Sequence, residues 1–181
     1  MNKGMGHNQS MSNLSPATGD QLASALHGLD VNFLWGAMNA DDSLHKQPAR
    51  LVAALAESNE ARLRLSLIPL FLGHPEFAAF VRKTAESLDK SSRITLQCYY
   101  SAAVFLQKKY RVRLSVLIGE KPSLPDRFSR DLELQITNDP EKDLQLLALR
   151  HQEISGAQVN WLGTYQHAAQ VWLQGLEIQN T

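Results

Sequence analysis

Six histidines, His7, His27, His45, His74, His151 and His167, are the residues of this chain best suited to acid–base or metal chemistry. A helix-borne zinc site needs two ligands one turn apart, a third from elsewhere and an open position. No two of these histidines lie three or four residues apart. His74-Pro75-Glu76 and His151-Gln152-Glu153 carry the His-x-Glu order of zinc deaminases, but the Pro-Cys-x-x-Cys segment that completes such a site is missing. Asp41, Asp42 and His45 could gather a divalent cation, yet they read more simply as a solvated helix start. No metal site and no cofactor are expected.

Nucleophilic chemistry finds no better footing. The single cysteine, Cys98, falls on a helix face shared with Ile94 and Ala102, where a thiol packs as a small hydrophobe. There is no Gly-x-Ser-x-Gly elbow and no glycine-rich phosphate loop. An enzyme would need His151, Glu153 and His167 to converge in one pocket. The residues therefore point away from an enzyme, and towards a binding role.

Two features could serve binding. Residues 108–130 hold seven basic side chains, Lys108, Lys109, Arg111, Arg113, Lys121, Arg127 and Arg130, against two acids, a net of +5. Residues 131–181 hold two basic side chains against seven acids, a net of −5. Either the two stretches face each other, or Lys108, Lys109, Arg111 and Arg113 contact phosphates, with Tyr110 interleaved for stacking. The second feature is the stripe Trp161, Tyr165 and Trp172. It is either core or the anchor of a protein–protein or homodimer interface, where Trp and Tyr are enriched.

These residues must be positioned by helices. The chain has 181 residues, 44% hydrophobic and 20% charged, with 18 basic and 18 acidic side chains. That is the composition of a globular domain with no global field towards nucleic acid or anionic membrane. Residues 1–19 read as a flexible tail, and 20–181 as one helical domain. Asp20 is placed to cap a first helix carrying Leu22, Ala25, Leu26 and Leu29, which Phe33, Leu34 and Trp35 extend or cover. Pro48 opens a second helix with Leu51, Val52, Leu55 and Ala56 inward. A third, over 60–72, is apolar nearly all round and reads as central, with a kink imposed by Pro69. Pro75 starts a fourth, reaching Leu88 with Phe77, Phe80 and Val81 inward. Ser91-Ser92 caps a fifth that runs to Gly119. Within it, Val112 to Ile118 carries some strand character, with helix preferred.

Pro122 and Pro125 mark a long loop over 120–138, with a short helix expected at 126–132. Asp139-Pro140-Glu141 opens a sixth helix and Gly156 ends it. The seventh runs over 158–178. The prediction is an all-α domain of five to eight helices, with the pairs between 47 and 118 stacked in solenoid fashion. The longest apolar stretch, Leu65 to Gly73, is far short of the ~20 residues of a membrane span. Met1 to Asp20 holds no signal-peptide core, so the expected location is cytoplasmic.

Offset by 29 residues, the chain matches itself: Leu51-Val52 with Phe80-Val81, Ala56-Glu57-Ser58 with Ala85-Glu86-Ser87, and Arg64-Leu65-Ser66-Leu67 with Arg93-Ile94-Thr95-Leu96. The run over about 47–107, with arginines early in the second helix of each pair, resembles HEAT or armadillo-type units. Gly73-His74-Pro75-Glu76, Cys98-Tyr99-Tyr100-Ser101-Ala102-Ala103 and Asn160-Trp161-Leu162-Gly163-Thr164-Tyr165 resemble blocks of uncharacterised bacterial helical proteins. Some of those are paired with nucleotidyltransferase-like partners. That resemblance implies a non-enzymatic, protein-binding or antitoxin-like role; the competing expectation is nucleic-acid binding through 108–130.

Overall fold

A computed structural model describes residues 15–31 and 43–181. The described residues are all α, with no strand among them, as the periodicity predicts. The helices are α1 (Gly19–Gly28), α2 (Pro48–Glu57), α3 (Ala61–Leu65), α4 (Leu67–Gly73), α5 (Val81–Ser87), α6 (Lys90–Lys109), α7 (Arg111–Ile118), α8 (Pro140–Ser155) and α9 (Trp161–Gln179). Short 3-10 turns lie at Leu44–Lys46 and Pro75–Ala79. Residues 1–14 of the expected tail, Phe33, Leu34, Trp35, Asp41 and Asp42 lie outside the described residues.

The helix boundaries follow local chemistry. Thr18, rather than Asp20, caps α1: its hydroxyl accepts the Gln21 N–H while the Gln21 side chain accepts the Thr18 N–H. Asp89, rather than Ser91-Ser92, caps α6, its carboxylate accepting both serine N–H groups. Asp139 caps α8 ahead of Pro140, and Gly156 ends it at φ 68° in the left-handed region.

Three predicted helices are interrupted. The 60–72 stretch breaks at Ser66, between α3 and α4, because Pro69 has no N–H for the Leu65 carbonyl one turn upstream. The stretch from Pro75 opens as a 3-10 turn and becomes α-helical only at Val81. Phe80 falls at that junction and is 39% exposed, not inward as expected. The fifth helix divides at Tyr110, and Val112 to Ile118 belongs to α7, not to a strand.

The connection between α7 and α8 is irregular, as expected, but tightly held. Its Leu124, Phe128 and Leu132 are buried. The Gln107 side chain donates to the Pro122 carbonyl and accepts the Leu124 N–H, and the Tyr100 hydroxyl donates to the Pro125 carbonyl at 2.7 Å. The short helix expected at 126–132 is one turn, closed at once by Glu133 at φ 57°.

Two helices occupy the centre. Leu67 to Leu72 of α4 are all buried, as the all-round apolar pattern predicts. Residues 98–106 of α6 are buried without interruption as well. Phe71 of α4 meets Tyr100 of α6 edge-on at 4.9 Å. Each such leucine or aromatic contributes roughly 1.5–3 kcal/mol over its exposed state, so stability concentrates along the α4–α6 seam. Helix α6 packs against α2, α4, α5, α8 and α9. In the two matched units, the first helices (α2 and α5) lie against each other, and so do the second helices (α4 and α6).

Candidate functional site

The aromatic stripe of α9 faces the core. Tyr165 is 0% and Trp172 4% exposed, because α9 turns this face towards α4, α6 and α8. Trp172 lies over Gly73, where an added Cβ would stand 3.2 Å from its ring. These two side chains form no surface patch. Trp161, in the first turn of α9, remains partly exposed.

The oppositely charged stretches meet. Lys109 pairs with Glu141 at 2.6 Å and Arg113 with Glu177 at 2.8 Å. Arg82 meets Asp131 at 3.4 Å. Two of the four predicted phosphate contacts are therefore engaged within the fold. Lys108 and Arg111 have no acidic partner among the described residues; with Lys121 they surround a small pocket floored by Leu72, Leu114 and Ile118.

The catalytic convergence required of His151, Glu153 and His167 does not occur. His151 is 3% exposed, whereas Glu153 sits two residues on, on the exposed face of α8, paired with Arg150. His167 stands two residues past buried Tyr165 on the exposed face of α9. Two helical residues separated by one other point about 200° apart, so neither can join His151. His74 links separate segments instead: Nε2 meets the Leu29 carbonyl at 2.7 Å and Nδ1 meets Glu76 at 2.9 Å. Burial pushes the Cys98 thiol up to about 12, which keeps it protonated and inert. No cluster of metal-ligating side chains exists among the described residues, and none of their helices is long and apolar enough to cross a membrane.

What the structure does assemble is a groove of about 750 Å³ where the turn after α2, the start of α6 and the end of α8 meet. Its wall is aromatic. His151 stacks on Trp161, centroids 3.6 Å apart and planes 18° apart, and Tyr99 stands edge-on to both. His151 Nδ1 lies 2.5 Å from the Tyr165 hydroxyl. Tyr165 has no other hydrogen-bond partner, and burial holds its phenol protonated. The buried hydroxyl must place its proton on Nδ1, which assigns the ring's own proton to Nε2. Burial holds His151 neutral, at about 4.

Arg64, on α3, completes the groove. Its Nη1 donates to the Ser58 carbonyl at 2.6 Å, at the carboxyl end of α2, where a cation complements the helix dipole. Burial pushes the Tyr99 phenol up to about 12, partly offset by the Arg64 guanidinium beside it. Sequence reasoning noted the arginine but not the groove, because Arg64, Tyr99 and His151 come from three helices with no local spacing to reveal them.

On the other flank of Trp161 lies a shallower depression of about 350 Å³, between the end of α8 and the start of α9. Leu149 (62% exposed) and Val159 (42%) stand open there, with Leu146 (38%) one turn before Leu149. Gln145, Gln152 and Asn160 supply the polar part of its lining, and no charged side chain lines it. No protein-family model, curated protein or solved structure matches the chain.

Proposed function

We propose that the protein is a non-enzymatic interaction module, which binds another protein through the depression between α8 and α9. The observation that supports this reading is that Leu149 and Val159 stand exposed in a depression whose lining carries no charge. Interface centres are depleted of charged residues, and contiguous exposed apolar side chains mark contact surfaces. An apolar depression of this kind takes the apolar face of a helix from the partner. The block resemblance makes a nucleotidyltransferase-like protein the partner, with this chain its antitoxin-like regulator in the cytoplasm of a bacterium. The HEAT-like stacking of helix pairs supplies the scaffold in this reading.

The test is native mass spectrometry of the tagged protein isolated gently from its own cells, alongside Leu149→Asp. The expected result is a stoichiometric protein partner with the unaltered chain, lost in the variant. Recovery of the unaltered chain alone, or as a homodimer, or retention of the partner by Leu149→Asp, overturns the reading.

A second reading, nucleic-acid binding, is favoured by one observation. Lys108 and Arg111, neither in an ion pair among the described residues, line one pocket with Lys121 and Glu120.

A further inference from the structure

The two matched helix pairs offer an internal comparison. Arg64 and Arg93 occupy equivalent places at the offset of 29 residues, and both reach back to the carboxyl end of the preceding helix. Arg93 donates through Nε to the Ala85 carbonyl and through Nη2 to the Leu88 carbonyl, both at 2.9 Å. Two of its nitrogens are thus fixed to backbone. Arg64 has one such bond, from Nη1. No carboxylate pairs with it among the described residues, whereas Arg62, Arg82 and Arg113 each have one and Arg150 has two.

The surroundings differ in the same sense. Beside Arg93 the equivalent hollow is about 360 Å³ and is bordered by Phe128 and the Arg82–Asp131 ion pair. Beside Arg64 it is about 750 Å³ and is walled by Tyr99, His151 and Trp161. Two donors there have no acceptor within the fold. His151 Nε2–H has no partner within the fold and keeps access to solvent, with its Nδ1 edge turned inward to Tyr165. The Trp161 indole N–H is buried without an acceptor as well.

From this juxtaposition we infer that the groove is a binding site for a small organic monocarboxylate, its carboxylate on Arg64 and its apolar body against Trp161, Ile94 and Ile154. A guanidinium fork matches a carboxylate in two parallel bonds. The neutral imidazole adds a donor that needs no second charge. Asp89, held ionised by hydrogen bonds from Ser92, also borders the groove, together with Glu57 and Lys90. It repels a phosphate dianion more than a monoanion. The volume falls in the range of pockets for small molecules, ~300–1,000 Å³. This site is separate from the α8–α9 depression, and its occupancy does not depend on a protein partner.

The test is proton–nitrogen NMR of the full chain titrated with 3-phenylpropionate, with its uncharged amide, and with phenyl phosphate. The expected result is a saturable shift of the Trp161 indole and His151 Nε2–H resonances by the carboxylate. Affinity should be at least about tenfold weaker for the amide, through the loss of one charge-assisted contact, and weaker for the phosphate, through repulsion by Asp89. Arg64→Gln should weaken the carboxylate by the same factor, and Arg93→Gln should leave it unchanged. The comparison of carboxylate with amide requires no variant, so it stands even if a substitution perturbs folding. Absence of saturation with 3-phenylpropionate, equal response to acid and amide, tighter binding of the phosphate, or shifts centred on Lys108 and Arg111 overturns the inference.

Discussion

His151 and Tyr165 share a 2.5 Å hydrogen bond that joins α8 to α9 beneath the groove. The bond requires the imidazole to be neutral, with Nδ1 open to the phenol proton. Acid therefore acts on the fold through this ring. Burial holds His151 at about 4, against an ordinary value of 6.5. An unfolded chain takes up the proton near its ordinary value, and the folded chain does so only near pH 4. Stability should therefore fall as the pH drops from 6.5 towards 4 and lose no more from this group below that. The total is on the order of 3 kcal/mol. His151→Asn keeps an acceptor for Tyr165 but does not titrate, so its urea midpoint should change less between pH 7 and 4.5. An identical acid slope in both proteins would show that His151 takes up its proton at the same pH in the fold as in the unfolded chain.

Gly73→Val should destabilise the protein by roughly 1–3 kcal/mol, as overpacked cores do. A Cβ already stands 3.2 Å from the Trp172 ring, and a branched side chain forces that buried indole aside. Urea unfolding measures the loss, and near-ultraviolet circular dichroism should report the displaced ring. An unchanged spectrum and midpoint would show that Trp172 has room to move.

Arg93→Ala and Arg64→Ala should differ although their residues are equivalent in the repeat. The first removes two charge-assisted bonds to helix-end carbonyls, although Ala85 keeps the Leu88 N–H; the second removes one. Losses of roughly 2 and 1 kcal/mol are expected in denaturant unfolding. Equal losses would mean that the two arginines do the same structural work, and would remove the contrast on which the groove's assignment rests.

Nucleic-acid binding, where it occurs, should depend on Lys108 and Arg111 more than on Lys109 and Arg113. The latter pair is neutralised by Glu141 and Glu177. Filter binding of single-stranded RNA to Lys108→Glu with Arg111→Glu, and to Lys109→Glu with Arg113→Glu, separates the two. Affinity should also fall steeply as salt rises. A flat response to salt removes nucleic acid as a ligand of this surface.

The sequence carried the helices more faithfully than the surfaces. Asp139-Pro140 and Gly156 mark the ends of α8 because capping is a local affair of three or four residues. Phe80 misled because its place in a helical period assumed one continuous helix, and the 3-10 turn at Pro75 shifts the phase. The Trp161–Tyr165–Trp172 stripe was legible as core or interface anchor, and periodicity could not choose between them, since it gives a face and not what covers it. Leu149 and Val159 escaped notice because their exposure depends on where α8 and α9 cross. The equivalence of Arg64 and Arg93 was in the sequence; their different bonding depends on Tyr99, His151 and the loop carrying Phe128, which arrive from elsewhere in the chain.

Helix α6 has no open flank along residues 98–106. A stack of helix pairs can normally be lengthened by duplication, each new pair covering the last. Here α8 and α9 close over α6, so a third pair inserted after Lys109 would have nowhere to dock. By the same token, a chain cut in the α7–α8 connection would leave one side of its central helix bare. The amino-terminal fragment should then associate with itself or with its missing half supplied in trans, and would not persist as a monomer.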